Sequence, residues 1–506
     1  MTINRHSARV IATSSYQSKA VLLILGLLIL RISVLFISPL GLHGDEAQYW
    51  AWSKDLDWGY FTKPPLIAWV IWTTTSIFGD AEWAVRLSSP FLHAMTAFVI
   101  FRTARFAFDE KTGFWATAIY LLMPALWLSS AIVSTDVPLL LCWALALGGW
   151  LHMRQSPSWA RGVQLGAGIG LGLLAKYAMF FFIAALALTF LFDPKTRKAL
   201  TSKWGLLSAC VALIIFLPNI VWNFANDFAT VSHTADNANI EMGQLPFYPL
   251  ELLKFWGEQF IVFGPVTFIL FIIALVYAVR NKNSEPSKWI SLFAITPLLV
   301  ISIEALLSRA NANWAVTAYV AGSILTAHLG LTFAARFKTW MRKGVILQSL
   351  ICLAIGIILL SPTLTDRMGL ANSVKRLRKW PETVRIVEHI YMQGHDGEAF
   401  QTLVLDKRII FYDLTYYGLA KKLPMKMWLS GDKPANHAEL TAPLTTQAGP
   451  VLILNYAPHY EADMRKKFKR LEPLPDIKID LGGGKYRKMR VWAGYDFVPK
   501  RPSKNL

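Results

Sequence analysis

Asp45 and Glu46 stand side by side in "LHGDEAQYWAW" (42–52), directly after the apolar run 20–39. A carboxylate at the membrane plane is costly to desolvate and is retained there mainly for function. Either acid could take a proton from a hydroxyl as a general base; the ordinary alternative is a solvated loop end beside an interfacial Tyr/Trp belt. In "YFTKPPL" (60–66), Lys63 adjoins Pro64 and Pro65, whose rings fix φ and stiffen the backbone, so the lysine is held in place. "STDVPLL" (134–140) puts Asp136 between two apolar runs, where it can cap the next helix and also pair with Lys63. Lys176 in "GLLAKYAMFF" has no acid nearby in sequence and suits an anion such as a lipid phosphate. "SRANANWAVTAY" (308–319) adds Arg309 as a second phosphate ligand, with Asn313 and Trp314 suited to a sugar.

The elements that must position these residues are membrane helices. Hydrophobic residues make up 54% of the chain and charged residues 16%, with a mean hydropathy of +0.39. Twenty Trp and thirty Phe fit lipid-facing surface and interfacial belts. Runs long enough to span a bilayer are expected at 20–39, 83–104, 112–133, 137–153, 160–175, 177–192, 204–223, 257–279, 288–306, 313–334 and 344–361, eleven in all. The run from residue 20 is longer than a signal peptide's and lacks a cleavage site, so it reads as retained. A cytoplasmic N-terminus (1–19) then puts clusters such as Lys195, Arg197, Lys198 and Lys203 inside. The short outer segments hold only Lys54, Lys63, Lys176, Lys254 and Arg309. This asymmetry accounts for much of the net charge of +19 without nucleic acid as a partner.

On this topology Asp45, Glu46, Lys63, Asp136, Lys176 and Arg309 share one side of the membrane, along with loops 40–82 and 224–256. The stretch 66–78 reads as an apolar segment lying along the interface. Residues 20–361 form the transmembrane domain and 362–506 a small soluble periplasmic α/β domain. Strand-like runs occur at 402–406, 408–414 and 450–456, a helix interrupted at Pro381 precedes them, and a glycine-turn hairpin closes at 480–495. Arg31 and Glu304 fall inside spans and should face the bundle interior. Acid, base and cation at one interface suit a substrate that is half lipid and half polar, with a phosphate between.

As an ordered set, "GDEAQYW", "YFTKPPL", "STDVPLL" and "GLGLLAKY" resemble the motifs of the GT-C glycosyltransferases. The resemblance covers about 20–335 and points to the bacterial protein-mannosyltransferase-like group that includes the lipid A aminoarabinose transferase. It implies a GT-C fold in the bacterial inner membrane and an enzyme that takes a sugar from a polyprenyl-phosphate carrier on the periplasmic side. It implies that Asp45 is the catalytic carboxylate with Glu46 in support, that Lys63 pairs with Asp136, and that Lys176 lies near the carrier phosphate. Tyr49 and Tyr60 match aromatic positions near the cavity. Ala315 stands where a proline is usual in the "NANWAVTAY" segment. The acceptor expected is lipid A or lipopolysaccharide core. A protein acceptor, as in protein O-mannosyltransferases, is the alternative, and a lipid-linked sugar transporter a more distant one. Adjacent Asp45 and Glu46 are not a metal site by spacing alone, and a divalent cation at the leaving phosphate stays open.

Overall fold

The computed structural model describes residues 15–237, 247–281, 285–429, 431, 433–445 and 449–498. Residues 1–14 of the expected N-terminal segment and 238–246 of the expected 224–256 loop lie outside them. The chain divides into two compact units, Met1–Ile37 with Lys63–Ile357, and Ser38–Thr62 with Ile358–Leu506. The first loop is therefore split. Residues up to Thr62 belong with the tail, and those from Lys63 belong with the membrane helices.

The membrane unit is helical and polytopic. Among the described residues, six helices are long and apolar enough to cross a membrane: Tyr16–Ile37, Glu82–Ala107, Asp136–Gln155, Lys203–Ala225, Glu285–Leu307 and Ala335–Leu360. Three bent pairs bring the number to nine if each is one span. They are Glu110–Leu121 with Pro124–Ser130 (62°), Tyr177–Phe192 with Pro194–Leu200 (113°), and Pro249–Phe263 with Pro265–Arg280 (111°). Eleven spans were expected from the sequence; by length and composition the described residues give six to nine. The runs 160–175 and 313–334 yield helices of 17 residues (Trp159–Ala175) and 15 residues (Ala318–Thr332), shorter than the roughly 20 residues typical of a span. Hydropathy passes over the breaks because proline and glycine cause them. Proline opens a new helix in its first turn in all three pairs, and Gly264 turns the third with φ +98°, a conformation that side-chain-bearing residues avoid. The 66–78 stretch is a 13-residue helix, Leu66–Phe78.

One packing detail sets the geometry of the candidate site. The Asp136–Gln155 and Trp159–Ala175 helices are joined by only three residues and run antiparallel. Small residues let their backbones touch: a Cβ on Gly168 would lie 2.7 Å from the Ala146 nitrogen. On its other face, a Cβ on Gly166 would lie 2.4 Å from the Ser208 carbonyl of the Lys203–Ala225 helix. The first residue of one helix, Asp136, therefore meets the residue that ends the next, Lys176.

The second unit is α/β. Its sheet has the order β2-β1-β3-β5-β4, where β1 is Thr402–Leu405, β2 Met425–Met427, β3 Val451–Asn455, β4 Phe468–Gly482 and β5 Lys485–Phe497. β1, β2 and β3 are parallel, and β3 pairs antiparallel with β5. β1 and β3 are buried at every position, as parallel strands covered on both faces are. The β4–β5 hairpin turns at Gly483 and Gly484, both with positive φ, and is longer than the 480–495 segment expected.

One expectation in this unit is corrected. "RIIFYDL" is not a strand but the helix Arg408–Tyr416. Its β-branched and aromatic residues fit a strand in isolation, yet Ile410, Tyr412 and Leu414 are buried against neighbouring elements, and packing overrides propensity. The helical stretch expected to be interrupted at Pro381 does break there: a short turn ends at Leu377 and Pro381 lies in the first turn of Trp380–Gln393.

Candidate active site

Asp45 is the second residue of a nine-residue helix, Gly44–Trp52. The helix start is closed by a capping box. His43 Nδ1 accepts the Asp45 N–H (3.2 Å), and Glu46 Oε2 accepts the His43 N–H (2.8 Å). Glu46 is buried and thereby fixes the turn that carries Asp45, whose side chain is 39% exposed. Arg408 donates from Nη1 to Asp45 Oδ1 at 3.0 Å, and the same Nη1 donates to Gln48 Oε1. Gln48 is buried and donates through Nε2 to Thr62 Oγ1 (3.4 Å). Asp45 Oδ2 lies 3.6 Å from His43 Nδ1, beyond hydrogen-bond reach, and has no hydrogen-bond partner among the described residues.

The Arg408–Tyr416 helix lies against this turn. A Cβ on Gly44 would stand 2.1 Å from Ile409 Cγ2, so only glycine permits the approach. Behind the turn, Asp413 is buried and neither carboxylate oxygen has a hydrogen-bond partner among the described residues. Burial drives its carboxyl well above the usual carboxylate range; Arg487 opposes this, and the charges of Asp45 and Glu46 add to it.

Tyr60 stacks on Trp52 at 4.5 Å, nearly parallel. Its hydroxyl lies 2.9 Å from the Trp52 and Asp55 carbonyls and accepts the Asp57 N–H at 3.1 Å. Its polar atom thus closes the 52–60 turn, and burial raises its phenol above the ordinary range. Tyr49 is buried with its ring 5.4 Å from Trp52. His437 sets its ring edge-on to both Trp52 and Tyr60, and burial lowers its imidazole to about 4.

The membrane unit holds a second cluster. Lys176 Nζ donates to Asp136 Oδ1 at 2.7 Å, and Asn313 Nδ2 donates to Asp136 Oδ2 at 2.8 Å. The lysine on Asp136 is therefore Lys176, where the sequence suggested Lys63. Lys176 ends its helix in extended conformation (φ −164°, ψ 137°), and the antiparallel pair brings it to the start of its neighbour. Lys63 is half-buried just ahead of the Leu66–Phe78 helix. Glu304 lies within electrostatic range of Lys176. Asn313 and Trp314 sit in the short turn Ala312–Ala315, which is buttressed from behind: Gln259 donates to the Ala312 carbonyl (3.2 Å) and accepts from Tyr319 (2.6 Å). Arg309 is exposed and has no ion-pair partner among the described residues. Arg31 is buried, donates to the Leu121 carbonyl and faces the Trp127 ring at 5.8 Å.

Glu46 Oε2 is taken up by the helix cap and Asp45 Oδ1 by Arg408. One other group among the described residues, His395, Asp396 and Glu472, has metal-like spacing. Arg470 already lies 3.2 Å from Asp396 and 3.6 Å from Glu472, and His395 Nδ1 lies 2.8 Å from the Tyr495 hydroxyl. A guanidinium thus supplies the positive charge an ion would bring. Sequence reasoning missed Arg408, Gln48 and Asp413. Arg408 is 363 residues from Asp45, and no local pattern joins them.

Residues 62–222 match the family described as dolichyl-phosphate-mannose-protein mannosyltransferase. The chain is 37% identical over 310 residues to the lipid A galacturonosyltransferase RgtD of Rhizobium johnstonii, covering 61% of this chain and 64% of that one. It is 26% identical over 272 residues to the lipopolysaccharide core galacturonosyltransferase RgtB of the same organism, covering 52% and 53%. These matches span less than two thirds of each relative's length. Among solved structures, ArnT from Cupriavidus metallidurans bound to undecaprenyl phosphate has a TM-score of 0.63 at 16% identity, covering 95% of this chain and 98% of that one. The chain is thus similar in sequence to these lipid A and lipopolysaccharide core galacturonosyltransferases and similar in fold to ArnT.

Proposed function

We propose that the protein transfers a sugar from a polyprenyl-phosphate carrier to lipid A or lipopolysaccharide core. The reading rests most on one observation. The Asp45 carboxylate stands at the start of a capped helix, with one oxygen held by Arg408 and the other without a hydrogen-bond partner among the described residues. That is the geometry a general base needs, oriented and with a free lone pair. Asp45 Oδ2 takes the proton of the acceptor hydroxyl. The hydroxyl oxygen forms its bond to the anomeric carbon from the face opposite the phosphate, and the carbon–phosphate oxygen bond breaks with inversion. Lys176 and Arg309 take up the charge of the departing polyprenyl phosphate. Asp136 and Asn313 hold Lys176 in place, and Glu46 holds the turn of Asp45. Lys63, Tyr49, Tyr60 and Trp314 have supporting positions. The N-terminus is cytoplasmic in this reading, with the 38–62 segment and the tail on the periplasmic face of the inner membrane.

Lipid A and lipopolysaccharide core are supported as acceptors by the names of the two galacturonosyltransferase relatives, which also make a uronic acid the first sugar to test. The undecaprenyl phosphate in the ArnT structure supports the donor class. Mass spectrometry of lipid A and core from a deletion strain tests the reading. Loss of one sugar substituent, restored by the wild-type gene, is expected. An unchanged glycolipid with loss of sugar from periplasmic proteins would instead favour a protein acceptor, which the match over 62–222 makes the second reading. Activity that survives a chelator is expected if the two cations suffice; loss of activity would bring in a divalent cation.

A further inference from the structure

We infer that Arg408 is a positioning residue for Asp45, and that the tail therefore contributes directly to catalysis. This rests on the assignment of Asp45 as base. An exposed ion pair between long side chains usually contributes little, because both partners keep their rotamer freedom. Arg408 is restrained more than that. Its Nη1 joins Asp45 Oδ1 to Gln48 Oε1, and these two residues lie three apart on one face of the same helix. Gln48 is buried and fixed in turn by Thr62 Oγ1. The series Thr62, Gln48, Arg408, Asp45 therefore ends on a carboxylate with a defined orientation.

The backbones set the distance. Gly44 allows the Arg408–Tyr416 helix to approach until Ile409 meets the first turn of the 44–52 helix. Arg408, the first residue of its helix, then reaches Asp45, the second residue of the other. Binding Oδ1 leaves Oδ2 as the oxygen that faces the acceptor. A bare aspartate could rotate about χ1 and χ2 and present either oxygen, or neither. Misplacing a reacting group by about 1 Å can cost on the order of 100-fold in rate.

The test uses the full-length protein in nanodiscs, with transfer rates measured for wild type, Arg408→Ala, Arg408→Gln, Arg408→Lys and Asp45→Asn. Arg408→Ala and Arg408→Gln should lower kcat about 10- to 100-fold and leave the donor KM within about twofold. Arg408→Lys should recover part of that loss, since it restores a cation but not the planar guanidinium that carries Nη1 to both oxygens. Glutamine keeps most of the side-chain stem, so it serves if the alanine variant folds poorly. Thermal melting checks that each variant compared is folded. Adding Arg408→Ala to Asp45→Asn should bring no further loss, because the arginine acts through the carboxylate. Wild-type kcat in folded Arg408→Ala and Arg408→Gln, with Asp45→Asn inactive, would overturn the inference and leave the assignment of Asp45 standing. Full activity in Asp45→Asn would overturn both.

Discussion

Lys176 Nζ lies 2.7 Å from Asp136 Oδ1, and the contact closes the open end of a helix pair whose backbones touch through Gly168. The acid orients the lysine and consumes one of its three donors, leaving the others for an anion. Replacing Lys176 with alanine should weaken donor binding by about 1.5–3 kcal/mol, the range for hydrogen bonds to charged groups, or roughly 10- to 100-fold. Asp136→Asn should shift affinity in the same direction by less. Titration with undecaprenyl phosphate, read by thermal shift, measures both. Unchanged affinity in Lys176→Ala would remove it from the phosphate site.

Gly44 is a steric requirement. A methyl there would stand 2.1 Å from Ile409 Cγ2 and 3.0 Å from Ile409 Cβ, a branched side chain with little freedom to move. Gly44→Ala should cost about 1–3 kcal/mol by overpacking and lower kcat by moving the turn that carries Asp45. Adding Ile409→Ala should recover part of the stability. A lone Gly44→Ala with wild-type melting and rate would show that the two helices do not need this approach.

Asp413 should make stability fall as the pH rises. Its carboxyl titrates near 3.8 in an unfolded chain and well above that when folded. Between those values the folded chain keeps a proton that the unfolded chain releases. Its contribution is therefore fully present below about pH 4 and is lost as pH climbs through the folded value. Asp413→Asn cannot titrate, so its melting temperature should drop less between pH 5 and pH 8 than that of wild type. Equal pH dependence in the two proteins would contradict the account of this carboxyl.

His437 acts in the opposite direction. Its imidazole is lowered to about 4 from an ordinary 6.5, so in that window the unfolded chain binds the extra proton. Stability is present above pH 6.5 and falls on acidification, by at most about 1.4 kcal/mol per pH unit. His437→Phe keeps the aromatic contacts with Trp52 and Tyr60 and should flatten the melting curve between pH 6.5 and pH 4.5. An unaltered acid slope would place the titrating group elsewhere.

Apolar runs made the membrane helices legible, because burying a backbone in lipid demands long stretches of one character. Their breaks were not legible in the same way. Pro124 and Gly264 divide the runs 112–133 and 257–279, whose average hydropathy stays high, whereas the break at Pro194 falls where the run 177–192 ends. The chemistry-bearing residues showed in sequence because charge beside an apolar run is costly. Their partners depended on packing. Asp136 received Lys176 and not Lys63, since glycine-mediated contact aligned the ends of two helices. Glu46 stood out as half of a carboxylate pair, yet it caps a helix, a role that the His43 to Glu46 spacing encodes once the helix start is known. Arg408 lay inside a run with the look of a strand, and only tertiary structure brings it to Asp45.

The central claim is that Asp45 is the base of a lipid-linked sugar transfer. The direct measurement reconstitutes purified protein in nanodiscs with lipid A and a panel of polyprenyl-phosphate sugars, uronic acids included, and follows transfer by mass spectrometry. Wild type should add one sugar to lipid A from one of these donors. Asp45→Asn should be folded and slower by at least the 10²- to 10⁴-fold that a positioned general base supplies. Transfer by Asp45→Asn at the wild-type rate would contradict the account.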